Sequence, residues 1–478
     1  MLCILGLGLL AGITGLIHQR KPPPEGTGIA WPERPLGDAT LLHDLTWHDA
    51  QGQRHLQQAI FDDILRLIAQ AEQLIVLDMF LFNDFQGDPP ETHRALSSEL
   101  TQALLARRKA VPDLPIIVIT DPVNTLYGGL RATHLDKLEY AGIQIVETDL
   151  RPLRDSNPSW SGLWRLCCQW FGNRPDGGWL PNAMDEGGRR GERVTLRSYL
   201  ALLNFKANHR KTLVVDDGDS WHAIVTSANP HDDSSAHSNA GLRFGGPAAL
   251  DLLASEAAVL AMAGVSPIAR LPDPPPASTL TPGTPSVQVL TEGAIRDALL
   301  DTVNGASHGD RLDIGVFYFS HRPLRRALQA AQARGVQIRV LLDPNKHAFG
   351  REKNGVPNRQ VAALLHNAGV PVRWCDTRGE QCHTKQLHWR GASGEDVLIV
   401  GSANFTRRNL DDYNLETSVR VRAPGNHSVM QDARAVFEAR WHNTEGRHFS
   451  LPYAAYADHS RWRLWLYRFM ETTGWSSF

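Results

Sequence analysis

The chain repeats itself, and that repeat limits what it can fold into more than any other feature of its 478 residues. A helical pattern from His55 to Ala71 leads into the apolar run Leu74 to Phe82, and in the second half Ala294 to Val303 leads into Leu312 to Phe319. Each run reads as a buried strand that follows a helix. A second apolar strand ending in aspartate comes next in both halves, Ile116 to Asp121 and Val340 to Asp343. Then Ala141-Gly142-Ile143 matches Ala368-Gly369-Val370, where glycine closes a helix ahead of another strand. Strands alternating with helices predict two fused α/β half-domains, each a largely parallel sheet flanked by helices.

The boundaries follow from composition. Pro272, Pro274, Pro275, Pro276, Pro282 and Pro285, mixed with Ser, Thr and Gly, make a linker over 271–286 between a first half at 40–270 and a second at 287–450. The first half carries an insertion at about 149–200 that the second lacks, and a Trp/Arg-rich tail occupies 451–478. Leu2 to Ile17 is almost wholly apolar and is followed by Arg20, Lys21 and three prolines. It reads as an uncleaved amino-terminal membrane anchor within 1–21, short for a span, with the membrane side open.

Apolar residues make up 42% of the chain and charged residues 21%, enough for a large core. Forty-nine basic residues stand against fifty-one acidic ones, a net charge of −2, so no chain-wide field draws the protein to nucleic acid. The five cysteines are too few for a disulfide scaffold, and Cys375 and Cys382 read as free thiols in preference to a pair across a short loop.

Each half delivers the same polar constellation. The first has His209-Arg210-Lys211, Asp216, Ser227-Ala228-Asn229 and Asn239; the second has His383-Thr384-Lys385, Ser402-Ala403-Asn404 and Asn414. One such match would mean little, but two at corresponding places in a repeat are not coincidence. The halves differ at two points: Arg390 stands where Asp216 predicts an aspartate, and Glu416, two residues beyond Asn414, is matched by counting to Gly241.

These residues resemble the phospholipase D superfamily, whose members carry HxKxxxxD followed by Ser and Asn in each of two halves. The resemblance covers most of the chain from about His55 to Val421. It implies a pseudo-twofold arrangement with both motifs at one interfacial cleft. It also implies a phosphodiesterase or transphosphatidylase working through a phosphohistidine, with no cofactor and no metal. A neutral imidazole escapes the repulsion that an anionic nucleophile meets at a phosphodiester, and a second, protonated imidazole can serve the leaving group. The expected roles are His209 as nucleophile, His383 as acid, and Lys211 and Lys385 on the phosphoryl oxygens. Asn229, Asn404, Ser227 and Ser402 are expected to donate hydrogen bonds there, and Asp216 to be structural. Glu416 is expected to orient His209 in preference to pairing with Arg420, and His383 to lack such a partner.

The substrate class comes from other features. In the insertion, Trp160, Leu163, Trp164, Cys167, Cys168 and Phe171 fall on one helical face, with Ser161, Arg165 and Gln169 opposite. In the tail, Trp462, Trp465, Leu466 and Phe469 recur at helical spacing among Arg461, Arg463 and Arg468. Arg189, Arg190, Arg193 and Arg197 form a local basic cluster. Together these favour an enzyme similar to cardiolipin synthases or phospholipases D, associated with a bacterial inner membrane and acting on phospholipid. A nucleic-acid phosphodiesterase and a non-catalytic membrane scaffold are the alternatives, and nucleic acid is not the expected partner.

Overall fold

The computed structural model describes residues 2–182, 184–185, 191–277, 279–348, 351–476 and 478. Two large mixed sheets carry the two halves. The first, of eight strands, runs in the order Arg54–Gln57, Ala39–His48, Asn239–Gly245, Trp221–Thr226, Lys211–Asp216, Ile75–Met79, Ile116–Thr120, Gln144–Glu147. The second, of nine strands, repeats its centre with Thr417–Pro424, Glu395–Gly401, Lys385–Arg390, Arg311–Val316, Gln337–Leu342 and Val372–Cys375.

Helices flank both sheets as expected, but the expectation of largely parallel sheets is corrected. Only Ile75–Met79, Ile116–Thr120 and Gln144–Glu147, and their counterparts Arg311–Val316, Gln337–Leu342 and Val372–Cys375, pair in parallel; the other ladders are antiparallel. The reason is connection length. Trp221 follows Asp216 after a four-residue turn, too short for the crossover that a parallel neighbour requires.

The halves share a core. Val225, Leu242, Phe244 and Leu253 from the first pack with Val289, Leu398, Val400, Val419 and Val421 from the second, nearly all without solvent exposure. Each such side chain contributes roughly 1.5–3 kcal/mol, so the interface is built as an interior. The connections reinforce it. Arg34–Pro35, ahead of the first half, pairs with Ser286–Thr291 at the edge of the second sheet, and the Arg34 guanidinium forks onto Asp251 while holding the linker carbonyls of Pro275 and Pro276.

The flanking segments are docked. The amino-terminal helix Leu2–Arg20 lies along the insertion helix Pro158–Cys167. Small residues permit this approach: a side chain on Gly162 would collide with the Ala11 carbonyl, and one on Gly15 with that of Pro158. Among the described residues, no helix is long and apolar enough to cross a membrane. The carboxy-terminal helix Arg461–Thr473 buries Tyr467, whose hydroxyl donates to the Ser320 carbonyl.

The reading of Cys375 and Cys382 as free thiols is corrected. Cys375 closes a strand and Cys382 precedes His383, with Cα atoms 6.2 Å apart, and the structure joins them in a disulfide. The neighbours Cys167 and Cys168 are also joined.

Candidate active site

In each half the motif histidine sits two residues ahead of the central strand that begins with the motif lysine. The two loops cross to the opposite half. The His209 amide donates to the Leu415 carbonyl at 2.9 Å, and the His383 amide donates to the Ser238 carbonyl at 2.8 Å. Each loop thus pairs briefly with the partner half, Asn208 with Leu415 and Cys382 with Ser238. This reciprocal exchange brings both motifs to one place, with His209 and His383 each more than nine-tenths buried.

The crossing fixes a correspondence that counting along the sequence misses. Ser402 donates its hydroxyl to Glu416 and accepts the Thr417 amide. Ser227 donates its hydroxyl to the Asn239 Oδ1 and accepts the Ala240 amide. Glu416 therefore matches Asn239, and not Gly241 as counting suggests.

The expectation that His383 lacks an orienting partner is corrected for the same reason: its Nδ1 lies 3.1 Å from the Asn239 Oδ1. His209 Nδ1 lies 2.9 Å from the Glu416 carboxylate. Glu416 also accepts from Asn409, while Arg420 is engaged by Glu33 and Gln288. The two serines, expected on the phosphate, are occupied instead in holding Asn239 and Glu416, and both are fully buried.

Lys211 and Lys385 donate to the carbonyls of His209 and His383, at 2.7 and 2.6 Å. Each ammonium stands over an aromatic ring, Lys211 at 4.9 Å from Phe80 and Lys385 at 5.3 Å from Phe317. The same rings contact the histidines, Phe80 against His209 and Phe317 against His383. The amide oxygens of Asn229 and Asn404 accept the backbone amides of Leu81 and Tyr318, which leaves the NH₂ groups as their remaining donors.

Two aspartates hold the histidine loops. Asp121 accepts the Asn208 amide at 2.7 Å, and Asp343 accepts the Cys382 amide at 2.8 Å. Burial pushes each carboxyl up to about 7. These aspartates and the two phenylalanines were missing from the site as read from sequence, although each pair ends corresponding strands of the repeat.

Asp216 accepts the amides of Gln73, Leu74 and Gly218, tying the strand ends together. Arg390, at its place in the second half, pairs with Asp313. The tie is made there from the opposite side by Asp310, which accepts the amides of Ser307 and Ala392.

Burial works against positive charge throughout the site. Burial lowers His209 to about 4 against the opposing pull of Glu416, and lowers Lys211 to about 7. His383 is held well below its ordinary range by burial and by the Lys385 charge, and Lys385 by burial and by the Lys211 charge. Glu416 stays below the usual range because His209, Lys211 and Ser402 outweigh the effect of its burial. An anion placed between the lysines would restore their charge. The arrangement sets two buried lysine side chains beside two imidazoles held through their Nδ1 atoms.

Around it, the insertion helix turns its polar side inward. Ser161 is buried on Asn204, and Arg165 pairs with Asp155. Trp170 and Phe171 are left exposed, as are Leu9, Ile13 and Ile17 of the amino-terminal helix and Trp462, Trp465 and Phe469 of the tail. Trp475, just past the tail helix, donates to Ser159 of the insertion. Of the basic cluster, Arg197 stacks on Trp164 and Arg193 is exposed; Arg189 and Arg190 lie outside the described residues.

Residues 299–441 match the family model described as cardiolipin synthase, PLD-like domain. The chain is similar to a phosphatidylserine synthase from Haemophilus influenzae Rd KW20, at 11% identity and a TM-score of 0.57 over 93% of this chain and 95% of that one. A polyphosphate kinase from Porphyromonas gingivalis is similar at 13% identity and a TM-score of 0.46, over 91% of this chain and 53% of that one. A phospholipase D family member from Salmonella typhimurium is similar at 22% identity and a TM-score of 0.28, over 34% and 97%. No curated protein sequence matches.

Proposed function

We propose that the chain is an enzyme of the phospholipase D type, which cleaves a phospholipid phosphodiester at a membrane surface and passes the phosphatidyl group to an alcohol or to water; the match of residues 299–441 to a cardiolipin synthase, PLD-like model supports this reading. The observation that carries this reading is the reciprocal crossing of the halves, which sets two imidazoles with different partners beside two lysines.

His209 is the nucleophile. Glu416 accepts its Nδ1 proton, leaving the Nε2 lone pair for phosphorus, and the carboxylate then balances the positive charge of the ring that carries the phosphoryl group. His383 gives its proton to the departing alkoxide. Asn239 is neutral, so it orients that ring without holding the proton as a carboxylate would. In the second step the acceptor hydroxyl gives its proton to His383 while its oxygen attacks phosphorus, and the bond to His209 breaks. Lys211, Lys385 and the amide donors of Asn229 and Asn404 stabilise the charge on the phosphoryl oxygens, in place of a metal. Asp216, Ser227 and Ser402 act through the geometry they hold.

The membrane part of the reading rests on the exposed apolar residues of three neighbouring segments, with Arg20, Arg461 and Arg468 exposed among them. Helices with this mixture lie in a headgroup layer. The amino-terminal helix serves as part of that contact by lying on the surface.

The test is product analysis. Wild type, His209→Ala and His383→Ala are incubated with phosphatidylglycerol vesicles in excess chelator. Cardiolipin or phosphatidic acid made by wild type alone is the expected result. Lipid left intact by wild type sinks the reading and turns the search to nucleic-acid diesters.

A further inference from the structure

The matching of Glu416 with Asn239 has a neighbour. Two residues earlier the halves carry Asn414 and His237, and these do different things. The Asn414 amide oxygen accepts the Ala207 amide at 3.1 Å and is used up in holding the loop before His209. The His237 ring instead stands beside His383, with centroids 5.8 Å apart and planes inclined by 49°. The backbone of His237 is fixed at both ends: its amide donates to the Ser234 carbonyl, and its carbonyl accepts from the Asn239 side chain. One asparagine therefore positions both rings.

The other imidazoles of this wall have partners: His209 on Glu416, His383 on Asn239, His231 on Ser234. His237 is 5% exposed, and its ring nitrogens have no hydrogen-bond partner among the described residues, yet they are not sealed from solvent-sized space. A buried polar ring left in that state is costly unless a ligand or water completes it. The groups that face it are His231, His383, Lys385 and Arg54, and Arg54 is paired with Glu91 and Glu380. Among the described residues no carboxylate faces the ring to favour a proton, and burial, with His231, Lys385 and Arg54, lowers it to about 3. A neutral imidazole offers one donor and one acceptor, which suits a hydroxyl and not a phosphate.

We propose that His237 is an acceptor-binding residue that selects a polyol, holding one hydroxyl while His383 takes the proton from the adjacent one. This deepens the phosphohistidine reading and rests on it. Two rings at this separation accommodate the neighbouring oxygens of a vicinal diol, roughly 3 Å apart, each within a normal hydrogen bond of about 2.8 Å. The ligand class is a glycerol-type alcohol, either free or as the headgroup of a lipid.

The experiment uses the full chain with phosphatidyl-p-nitrophenol in mixed micelles, so that p-nitrophenolate reports the first step and the lipid products report the acceptor. Glycerol and 1-propanol are titrated in parallel for wild type, His237→Ala and His237→Gln. The expected result is that His237→Ala raises the apparent KM for glycerol about tenfold and leaves that for 1-propanol unchanged, with His237→Gln intermediate. The comparison is internal to each variant, so a misfolded fraction cancels. Equal shifts for both alcohols, no shift for either, or a wild type that yields only hydrolysis overturns the proposal while leaving the phosphohistidine intact. A wild type that releases no p-nitrophenolate overturns the parent reading and this one with it. Phosphatidylglycerol vesicles as acceptor identify the source: a loss confined to free glycerol assigns a soluble polyol, and a loss in both assigns the lipid headgroup.

Discussion

The two halves reach the same geometry with different chemistry behind the motif histidine. In the first, His209 is backed by the carboxylate of Glu416; in the second, His383 is backed by the amide of Asn239. Serine holds the backing residue in both, an aspartate holds the loop, and a phenylalanine lies under the lysine. A scaffold this symmetric would make two interchangeable histidines. In the proposed mechanism the exchange of carboxylate for amide separates them, because a carboxylate stabilises the cationic ring of a covalent adduct and an amide leaves a proton free to depart.

The largest effects should come from breaking that division directly. His209→Ala is expected to abolish turnover of every substrate, a loss of about 10⁴-fold or more, and to form no acid-labile phosphoenzyme. His383→Ala should lose about 10²–10⁴-fold with a lipid alkoxide leaving group, yet recover much of that with p-nitrophenolate, which departs without a proton. Rapid quench followed by radiolabel counting separates the two. Equal recovery in both variants would mean that the roles are not divided.

Next come the backing residues. Glu416→Gln should cost about 100-fold in kcat, and Asn239→Ala about tenfold. Asn239→Asp is the sharper probe: the added carboxylate favours the protonated form of His383 and raises its proton affinity. The limb of the pH-rate profile that requires protonated His383 should then move to higher pH, whereas a limb that stays put denies His383 the role of acid.

The two solutions to the strand tie make a smaller comparison. Asp216→Asn and Asp310→Asn each leave buried amides poorly served and should cost about 1–3 kcal/mol by denaturant titration. A neutral result for Asp310 would mean that Arg390 with Asp313 carries the second tie.

The smallest effect concerns acid stability. His231 is held by burial at about 4, whereas in the unfolded chain it titrates near 6.5. The native state refuses a proton that the unfolded state accepts, so this contribution is complete above about 6.5 and falls away as pH drops towards 4. At pH 5 the loss is about 2 kcal/mol. His231→Gln, which never charges, should show a smaller fall in Tm between pH 7 and pH 5 than wild type.

Much of this molecule was legible in the order of its residues. The repeat predicted two α/β halves because buried strands and amphipathic helices leave distinct apolar periods. The histidines, lysines and asparagines stood out because they recur at corresponding places. Strand direction was not legible: a run of apolar residues is the same whether its neighbour is parallel or antiparallel, and only the short turn after Asp216 betrays the difference. The match between Glu416 and Asn239 was hidden by an accident of length. Ser227 and Asn239 are separated by 12 residues and Ser402 and Glu416 by 14, while Ser402 and Asn414 are also 12 apart, so counting aligned the wrong pair.

The sequence by itself therefore determined the chemical inventory and its duplication, because those are properties of residue type and spacing. Tertiary structure alone decided that Asn239 backs His383 as Glu416 backs His209, and that His237 stands beside His383. Those contacts run between halves, where strand pairing and loop crossing set distance and the separation along the chain carries no information.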